Sequence, residues 1–414
     1  MEKYKLGDCL KIKHGWAFKG EYFAESGTQS ILTPGNFFEA GGFKYNDERE
    51  RFYTGNYPSE YLCKKGDLIV AMTEQVAGLL GSTAIVPKDD RYLHNQRIGL
   101  VTCDEKILTK MYAYYLFMTK SVREQIGRTS SGTKVKHTSP ERIYDVEVSL
   151  PSIPTQKKIA DFLWAIECKI TNNNQINDNL QHQIKLIYDY WFTQFDFPDE
   201  NGKPYRSSGG VMVWNEQLKR KIPINWQVIN IRDISNITWG QCPDGKNILD
   251  RTIQGEDLFD YCSGAGDMKG GFLVDCQAKT DNSKRFAHKN DILVSIAGKI
   301  GDMCVVDHTI SLGRAAMAYT AKDSNQLTFI YMTLQSLNRK MAVVSTGSIQ
   351  KVINNNHIDS FIFPYEESIV SSFGNATGKI FEKLIAISHE NKQLTALRDW
   401  LLPMLMNGQA TVTD

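Results

Sequence analysis

The sequence predicts an α+β protein: two pseudo-twofold-related mixed α/β domains separated by two long antiparallel helices that form a coiled coil. Three observations predict it: an internal repeat, an apolar seam of heptad spacing in each repeat, and a turn-rich segment between them. With 414 residues, the chain exceeds the ~250 to 300 at which single cores stop growing. Several domains are therefore expected.

The repeat comes first because it sets the architecture. Leu6-Gly-Asp-Cys-Leu-Lys-Ile-Lys-His-Gly15 matches Ile231-Arg-Asp-Ile-Ser-Asn-Ile-Thr-Trp-Gly240 at a shift of 225, keeping the aspartate, the glycine and the apolar positions. Order is kept further along: Lys65-Gly-Asp-Leu-Ile-Val70 with Lys289-Asn-Asp-Ile-Leu-Val294, residues 81–86 with 301–306, and Ser131-Gly-Thr133 with Thr346-Gly-Ser348. Short β-branched runs bounded by Gly, Asp and Pro read as strands at 67–72 and 84–86, and at 291–296 and 304–306. A helix follows in each half, at 108–118 and 326–337.

The period then changes. Ile159, Leu163, Ile166 and Ile170, then Leu180, Ile184, Ile187 and Trp191, are spaced by alternating threes and fours, and the seam recurs, shifted by 210, at Ile369, Phe373, Ala376, Ile380, Ile387, Leu394, Leu397 and Leu401. A helix over 159–191 runs roughly 50 Å at ~1.5 Å per residue, more seam than a small globule covers. The two helices are therefore expected to pair. Asn173 and Asn177 fall on the seam, either as buried register-setting amides or as a solvated break. Between the halves, residues 195–210 are rich in turn formers and let the chain reverse.

Composition excludes several classes. At 42% hydrophobic and 23% charged, with 12 prolines and no long apolar run, the chain is not disordered, collagen-like or membrane-spanning. The start, MEKYKLGDCL, has no apolar stretch of a secretory signal, so a cytoplasmic location is expected. Eight scattered cysteines without C-x-x-C spacing read mostly as buried thiols. Lysine plus arginine, 48, nearly balances aspartate plus glutamate, 47, so any nucleic-acid surface has to be a local patch.

Catalytic signatures are missing: no phosphate loop, no H-E-x-x-H, no G-x-S-x-G and no Asn/Asp-Pro-Pro-Tyr. Gly264-Ala-Gly-Asp-Met-Lys-Gly270 reads as a turn, and Pro243-Asp-Gly-Lys246 lacks the further acidic strand of a nuclease site. No catalytic residue and no metal ligand are assigned.

Two similar globules on a double-helical spacer suit a protein that reads two separated pieces of a long ligand. On the paired strand motifs, the turns at 131–133 and 346–348, the helix lead-in Leu150-Pro-Ser-Ile-Pro-Thr-Gln-Lys-Lys-Ile159 and the linker Phe195-Asp-Phe-Pro, the whole chain resembles the specificity (S) subunit of Type I restriction-modification systems. The second lead-in, Phe363-Pro-Tyr-Glu-Glu-Ser-Ile369, lacks the family's usual Gln. The resemblance implies target-recognition domain 1 at 1–150, helical spacer 1 at 151–195, a linker at 196–225, target-recognition domain 2 at 226–363 and helical spacer 2 at 364–414.

It further implies a non-catalytic chain that binds double-stranded DNA at a bipartite asymmetric target. Two methylation (M) subunits would bind its helices and hold S-adenosylmethionine, and restriction/translocase (R) subunits joined through them would use ATP and Mg2+. No cofactor is expected in this chain. DNA contacts are expected from loops mixing cations, amides and hydroxyls: Arg128, Ser131, Thr133, Lys134, Lys136 and His137, with Ser348, Gln350, Lys351, Asn354 and Asn355 as counterparts. Arg97 and Arg314 also correspond between the halves, with a structural ion pair as the competing account, and Gln75 and Lys299 sit on expected loop tips. Phe162, Trp164, Tyr188, Tyr190 and Trp400 are apolar side chains beyond the seam, available either to the intramolecular core or to a partner. A two-site protein scaffold without nucleic acid is the alternative function, and a self-contained nuclease a third.

Overall fold

Two largely apolar runs at matching places, residues 68–71 and 292–295, are buried throughout and form the central strands. The computed structural model describes residues 1–45, 50–74, 76–132, 135–269, 271–344 and 352–413. It comprises two units, Met1–Lys169 with Leu394–Asp414, and Ile170–Gln393.

In the first unit, β1 (Glu2–Lys5), the helical turn α1 (Leu6–Cys9) and β2 (Leu10–His14) precede β3 (Phe23–Ala24), β4 (Ser30–Leu32) and β5 (Phe52–Tyr53). β6 (Leu68–Ala71), β7 (Thr73–Glu74), β8 (Thr83–Ile85), β9 (Tyr92–His94) and β10 (Ile98–Cys103) follow. Then come α2 (Lys110–Leu116), α3 (Lys120–Arg128), β11 (Lys136–His137), α4 (Pro140–Tyr144), β12 (Glu147–Leu150) and the long helix α5 (Ile153–Tyr188). The antiparallel sheet β2-β10-β6-β8 carries the core on both faces. Leu68 and Val70 pack with Tyr112 and Phe117, whereas Ile69 and Ala71 pack with Leu32 and Phe37, as the two-residue strand period requires. A second sheet, β3-β5-β4-β9, lies beside it in sequence.

The second unit adds the hairpin β13 (Met212–Asn215) and β14 (Arg220–Pro223), then β15 (Gln227–Asn230), α6 (Ile231–Ile234) and β16 (Ser235–Trp239). β17 (Ile248–Asp250), β18 (Phe259–Cys262), β19 (Ala278–Thr280), β20 (Phe286–Ala287), β21 (Ile292–Ser295), β22 (Met303–Val305), β23 (Ile310–Leu312) and β24 (Ala316–Ala321) follow. α7 (Leu327–Val344), α8 (Asn355–Ile358), β25 (Ile362–Tyr365) and the long helix α9 (Glu367–Met406) complete it. The sheet β16-β24-β21-β22 repeats the order of β2-β10-β6-β8, and the pair β15–β25 repeats β1–β12. The internal repeat of the sequence is thus a repeat of strand topology.

Its best-kept motif has a physical cause. Ahead of each central strand the chain turns through a left-handed residue, Gly66 at φ +87° and Asn290 at φ +72°. Glycine and asparagine are the residues that tolerate this region best. Asp67 then accepts the Lys64 amide at 2.8 Å, and Asp291 the His288 amide at 2.7 Å, closing the same turn twice.

The long helices run antiparallel. In the second unit Asn173 meets Glu390 and Asn391, Asn177 meets Ser388, and Tyr188 meets Phe373, so position falls on one helix as it rises on the other. Within the first unit, Glu167 of α5 faces Arg398 of α9. Ile159, Leu163, Ile166 and Ile184 are buried as the seam predicts, and both asparagines are buried and hydrogen-bonded rather than solvated.

α9 departs from the expected register. Phe373 and Ile387 are buried, but Ala376 and Leu397 are exposed, and the buried stripe runs through Val370, Phe373, Thr377, Phe381, Leu384 and Ser388. Phe381 explains the rotation: its ring packs on Phe272 and Tyr331 of the same unit, 5.2 and 5.4 Å between centroids. Copying the seam of α5 onto α9 therefore places it about one residue off.

The lead-in glutamine also has a visible role. Gln156 is fully buried, accepts the Thr109 amide at 2.9 Å and donates to the carbonyls of Ile107 and Pro151 at 2.8 and 3.0 Å, fastening the start of α5 to that of α2. In the second half Glu366 instead accepts the Ile369 amide at 2.8 Å. The linker is not a bare tether, since Phe195 and Phe197 are buried with Trp226 in the core of the second unit.

Candidate nucleic-acid interface

In each unit the strand carrying the repeat's glycine ends against the turn that carries a predicted arginine. A Cβ on Gly15 would lie 1.9 Å from the Asn95 carbonyl oxygen, and one on Gly240 2.0 Å from that of Gly313. Only glycine permits this approach. Trp16 then donates its amide to His94 at 3.1 Å, and Gln96 donates back to Trp16 at 3.1 Å. The Arg97 amide donates to Asn95 Oδ1 at 2.8 Å and its carbonyl accepts from Met72 at 2.9 Å. In the second unit Gly240 donates to Ala316 at 3.1 Å and Gln241 to Leu312 at 2.9 Å. Arg97 and Arg314 are both exposed, and among the described residues neither enters the ion pair that was the competing account. They do not correspond, however: Met72 donates to the carbonyl of Arg97 where Ile296 donates to that of Ala315, both at 2.9 Å, which sets Arg314 at the place of Gln96.

The described ends of the predicted loop of the first unit pair with each other. Ser131 and His137 exchange both backbone hydrogen bonds, at 2.9 and 2.8 Å, and β11 pairs with β7. Its polar groups have local partners: Arg142 donates to Ser131 Oγ at 2.9 Å, the His137 ring meets Thr73 Oγ1 at 3.1 Å, Lys136 lies 3.8 Å from Glu74 and Arg128 3.6 Å from Glu124. Thr133, Lys134 and Gln75 lie outside the described residues, as do Ser348, Gln350 and Lys351.

The described residues that follow the loops dock alike in the two units. Thr138 donates to the carbonyl of Met72 at 3.0 Å, and Ile353 to that of Ile296 at 2.9 Å, each just beyond the central strand. Asn354 caps α8, accepting from the amides of Asn356 and His357, while Asn355 accepts from Arg232 at 2.8 Å. Lys299 is exposed and paired with Asp302 at 2.6 Å.

Among the apolar candidates beyond the seam, Phe162, Trp164, Tyr190 and Trp400 are exposed. Tyr188 is a correction to the partner-binding set: it is buried, with its hydroxyl 3.1 Å from Thr333 Oγ1 and its ring among Phe192, Phe329 and Phe373. A half-turn's difference on the helix separates it from Tyr190, and both positions look alike in the sequence.

Sequence reasoning missed Arg123. Its guanidinium donates to the carbonyls of Phe117, Gly78, Leu80 and Glu39 at 2.7 to 3.1 Å, gathering the loop after β7 and the segment between β4 and β5 onto α3. Burial lowers its pKa to about 10 against the opposing effect of Glu74. No local spacing could have revealed it, because its partners come from 6 to 84 residues away.

Among the described residues, no group of three or more His, Cys, Asp or Glu is placed to hold a metal ion, and no helix is long and apolar enough to cross a membrane. All eight cysteines are free thiols; Cys9, Cys63, Cys262 and Cys304 are buried and Cys242 is exposed.

A duplicated sheet topology, twin glycine-pinned arginine turns and an antiparallel helix pair define a class of recognition protein built from two like units. The sequence pattern described as the Type I restriction modification DNA specificity domain matches residues 1–182 and 223–394, so the chain belongs to that family. It is 24% identical over 316 residues to the Type I restriction enzyme MjaIX specificity subunit of Methanocaldococcus jannaschii, covering 73% of this chain and 69% of that one. It is 22% identical over 412 residues to the HindI specificity subunit of Haemophilus influenzae, covering 84% and 87%. The fold matches the Type I restriction-modification S subunit from M. genitalium with a TM-score of 0.59 at 17% identity, over 98% of this chain and 95% of that one. DNA sequence recognition within a type I system is the role that goes with this family, and that role is non-catalytic.

Proposed function

We propose that each unit carries one reader of duplex DNA, so that the chain recognises a bipartite, asymmetric target. The observation that carries this reading is the difference in side chains at corresponding places: where one turn has Asn95-Gln-Arg97, the other has Gly313-Arg-Ala315, with the same backbone hydrogen bonds around each. Equivalent backbones with unlike polar groups read unlike words. Arg97 and Arg314 are assigned to base edges or phosphates, and Arg128, Ser131, Lys136, His137, Lys299, Asn354 and Asn355 to the surrounding loops that steady the duplex. Gln75, Thr133, Lys134, Ser348, Gln350 and Lys351 are carried with them as loop contacts on sequence grounds.

The exposed Phe162, Trp164, Tyr190 and Trp400 suit contacts with methylation subunits, two per chain, one for each half of the repeat. Those subunits would hold S-adenosylmethionine and methylate adenine, and R subunits would bring ATP and Mg2+; this chain holds no cofactor and works in the cytoplasm with its DNA. The test is a gel-shift titration against salt with the partner subunits present. Several phosphate contacts make affinity fall steeply as salt rises. Exchanging residues 1–150 for those of another family member should change one half of the methylated site. If both halves change, the two-reader reading fails, and if no DNA is bound, the two-site protein scaffold replaces it.

A further inference from the structure

An open groove of about 900 Å3 lies in the first unit beside Arg97, bounded by the end of β2, the turn from β9 to β10, and segments flanking β3 and β5. We propose that this groove is the base-reading surface of the first unit, with Trp16, Arg51, Asn95 and Gln96 as specificity-determining residues alongside Arg97. The inference rests on the two-reader proposal and deepens it, because it names where and by which groups one half of the target is read.

Charge comes first. In a chain with 48 cationic and 47 acidic side chains, a DNA surface has to be local. Arg51 and Arg97 are exposed on this groove, and among the described residues neither has an ion-pair partner. Of the acids there, Glu50 is neutralised by Arg91, which grips both its oxygens at 2.8 and 2.9 Å, leaving Glu25. Two uncommitted guanidinium groups against one free carboxylate give the groove a positive balance.

The side-chain chemistry is that of base readout. Arginine matches the two acceptors of guanine in the major groove, and asparagine and glutamine match the donor and acceptor of adenine. The groove offers both kinds in one tripeptide, Asn95-Gln96-Arg97. Trp16 and Phe23, 40% and 37% exposed, add apolar faces open to a ligand, suited to a thymine methyl or a sugar. The Trp16 ring is backed by Tyr61 at 5.2 Å between centroids, so it is held in place.

Rigidity supplies the third argument. A reader keeps its specificity only if its groups are fixed before the ligand arrives. Gly15 lets the strand end lie directly on the turn, and the amides of Trp16, Gln96 and Arg97 are all hydrogen-bonded within the junction. The hairpin at 131–137 differs, since among its described residues Ser131, Lys136 and His137 are engaged by neighbours. Its part is to support the duplex, while the groove reads it.

The experiment uses the full chain with its methylation subunits, reading the modified word by methylation-sensitive sequencing and affinity on specific and random duplexes. Arg51→Ala, Gln96→Ala and Arg97→Ala are each expected to relax or change positions in one half of the site only. Specific affinity should fall roughly 10- to 100-fold, as for loss of one bidentate base contact, with random-duplex affinity changed far less. These side chains are exposed, and an unchanged melting temperature confirms the fold. The proposal is overturned if all three variants methylate the wild-type word at wild-type affinity, or lose specific and random binding equally. Failure of the wild-type complex to bind any sequence selectively would instead sink the two-reader proposal itself.

Discussion

Asn173 donates from Nδ2 to a Glu390 carboxylate oxygen at 2.7 Å, inside the seam between α5 and α9. A second bond from the same nitrogen reaches Asn391 Oδ1 at 2.9 Å, and Asn391 in turn donates to Asn174 at 2.8 Å. Four polar side chains from two helices thus satisfy one another only at this offset. Asn173→Ala should cost about 1–3 kcal/mol, since it removes a bond to a charged acceptor in a buried place. Asn177 differs, because its Oδ1 is buried without a hydrogen-bond partner while Nδ2 donates to Ser388 at 2.9 Å. Asn177→Leu should therefore raise the unfolding midpoint while loosening register, measured by thermal melts and by light scattering for new oligomers.

Glycine at the strand ends gives a sharper contrast. Gly15→Ala places a methyl 1.9 Å from a backbone oxygen whose segment is itself pinned, whereas nothing lies within 4 Å of a Cβ on Gly20. The first substitution should cost about 1–3 kcal/mol or more by overpacking, and the second should be neutral or slightly stabilising. Urea unfolding of both variants checks it; equal midpoints would contradict the tight junction.

Much of this was legible beforehand, and the reason is local chemistry. Lys65-Gly-Asp and Lys289-Asn-Asp announce a left-handed turn before a buried strand, and the seam of α5 announces its buried face. What could not be read depends on tertiary contacts. The buried stripe of α9 includes Thr377 and Ser388, which a search for apolar spacing passes over, and its rotation is set by Phe381 packing on Phe272. Tyr188 and Tyr190 carry the same signal and face opposite environments. Arg51 is separated from Arg97 by 46 positions, so the groove they share exists only in the fold.

Arg123 should not tolerate a change to lysine. Its planar fork serves four carbonyls from separate segments, which a single ammonium group cannot span. Arg123→Lys and Arg123→Met should each destabilise the first unit by about 2–3 kcal/mol, through carbonyls left without donors. Hydrogen exchange should show the loss as faster opening of the loop after β7, before any effect in the second unit.

Tyr188 and Trp400 separate core from partner surface. Tyr188→Phe loses the hydroxyl contact with Thr333 and should cost about 1 kcal/mol of stability, leaving assembly with methylation subunits unchanged. Trp400, 61% exposed, should behave in the opposite way: Trp400→Ala leaves the melting temperature nearly unchanged and weakens assembly. Calorimetric titration of the subunits checks the pair, and reversed outcomes would reassign both residues.

The second unit should lose stability in mildly alkaline solution through His308. Hydrogen bonds to Asp260 at 2.9 Å and Asp307 at 2.8 Å, opposed in part by burial, raise its pKa from 6.5 to about 9. Asp307 is also held by Lys392 at 2.9 Å from α9, with His389 3.5 Å away, so the cluster fastens the strand segment to the helix. Burial works against the Asp307 carboxylate, yet the bonds from His308 and Lys392 keep it well below the usual range and charged throughout. Since the folded state holds the His308 proton more tightly than the unfolded chain, its contribution is complete below about pH 6.5 and disappears as the pH rises through about 9. Urea midpoints should fall across that window, and His308→Ala should flatten the fall while lowering the midpoint at pH 6. A slope unchanged by the substitution would assign the titration to another group.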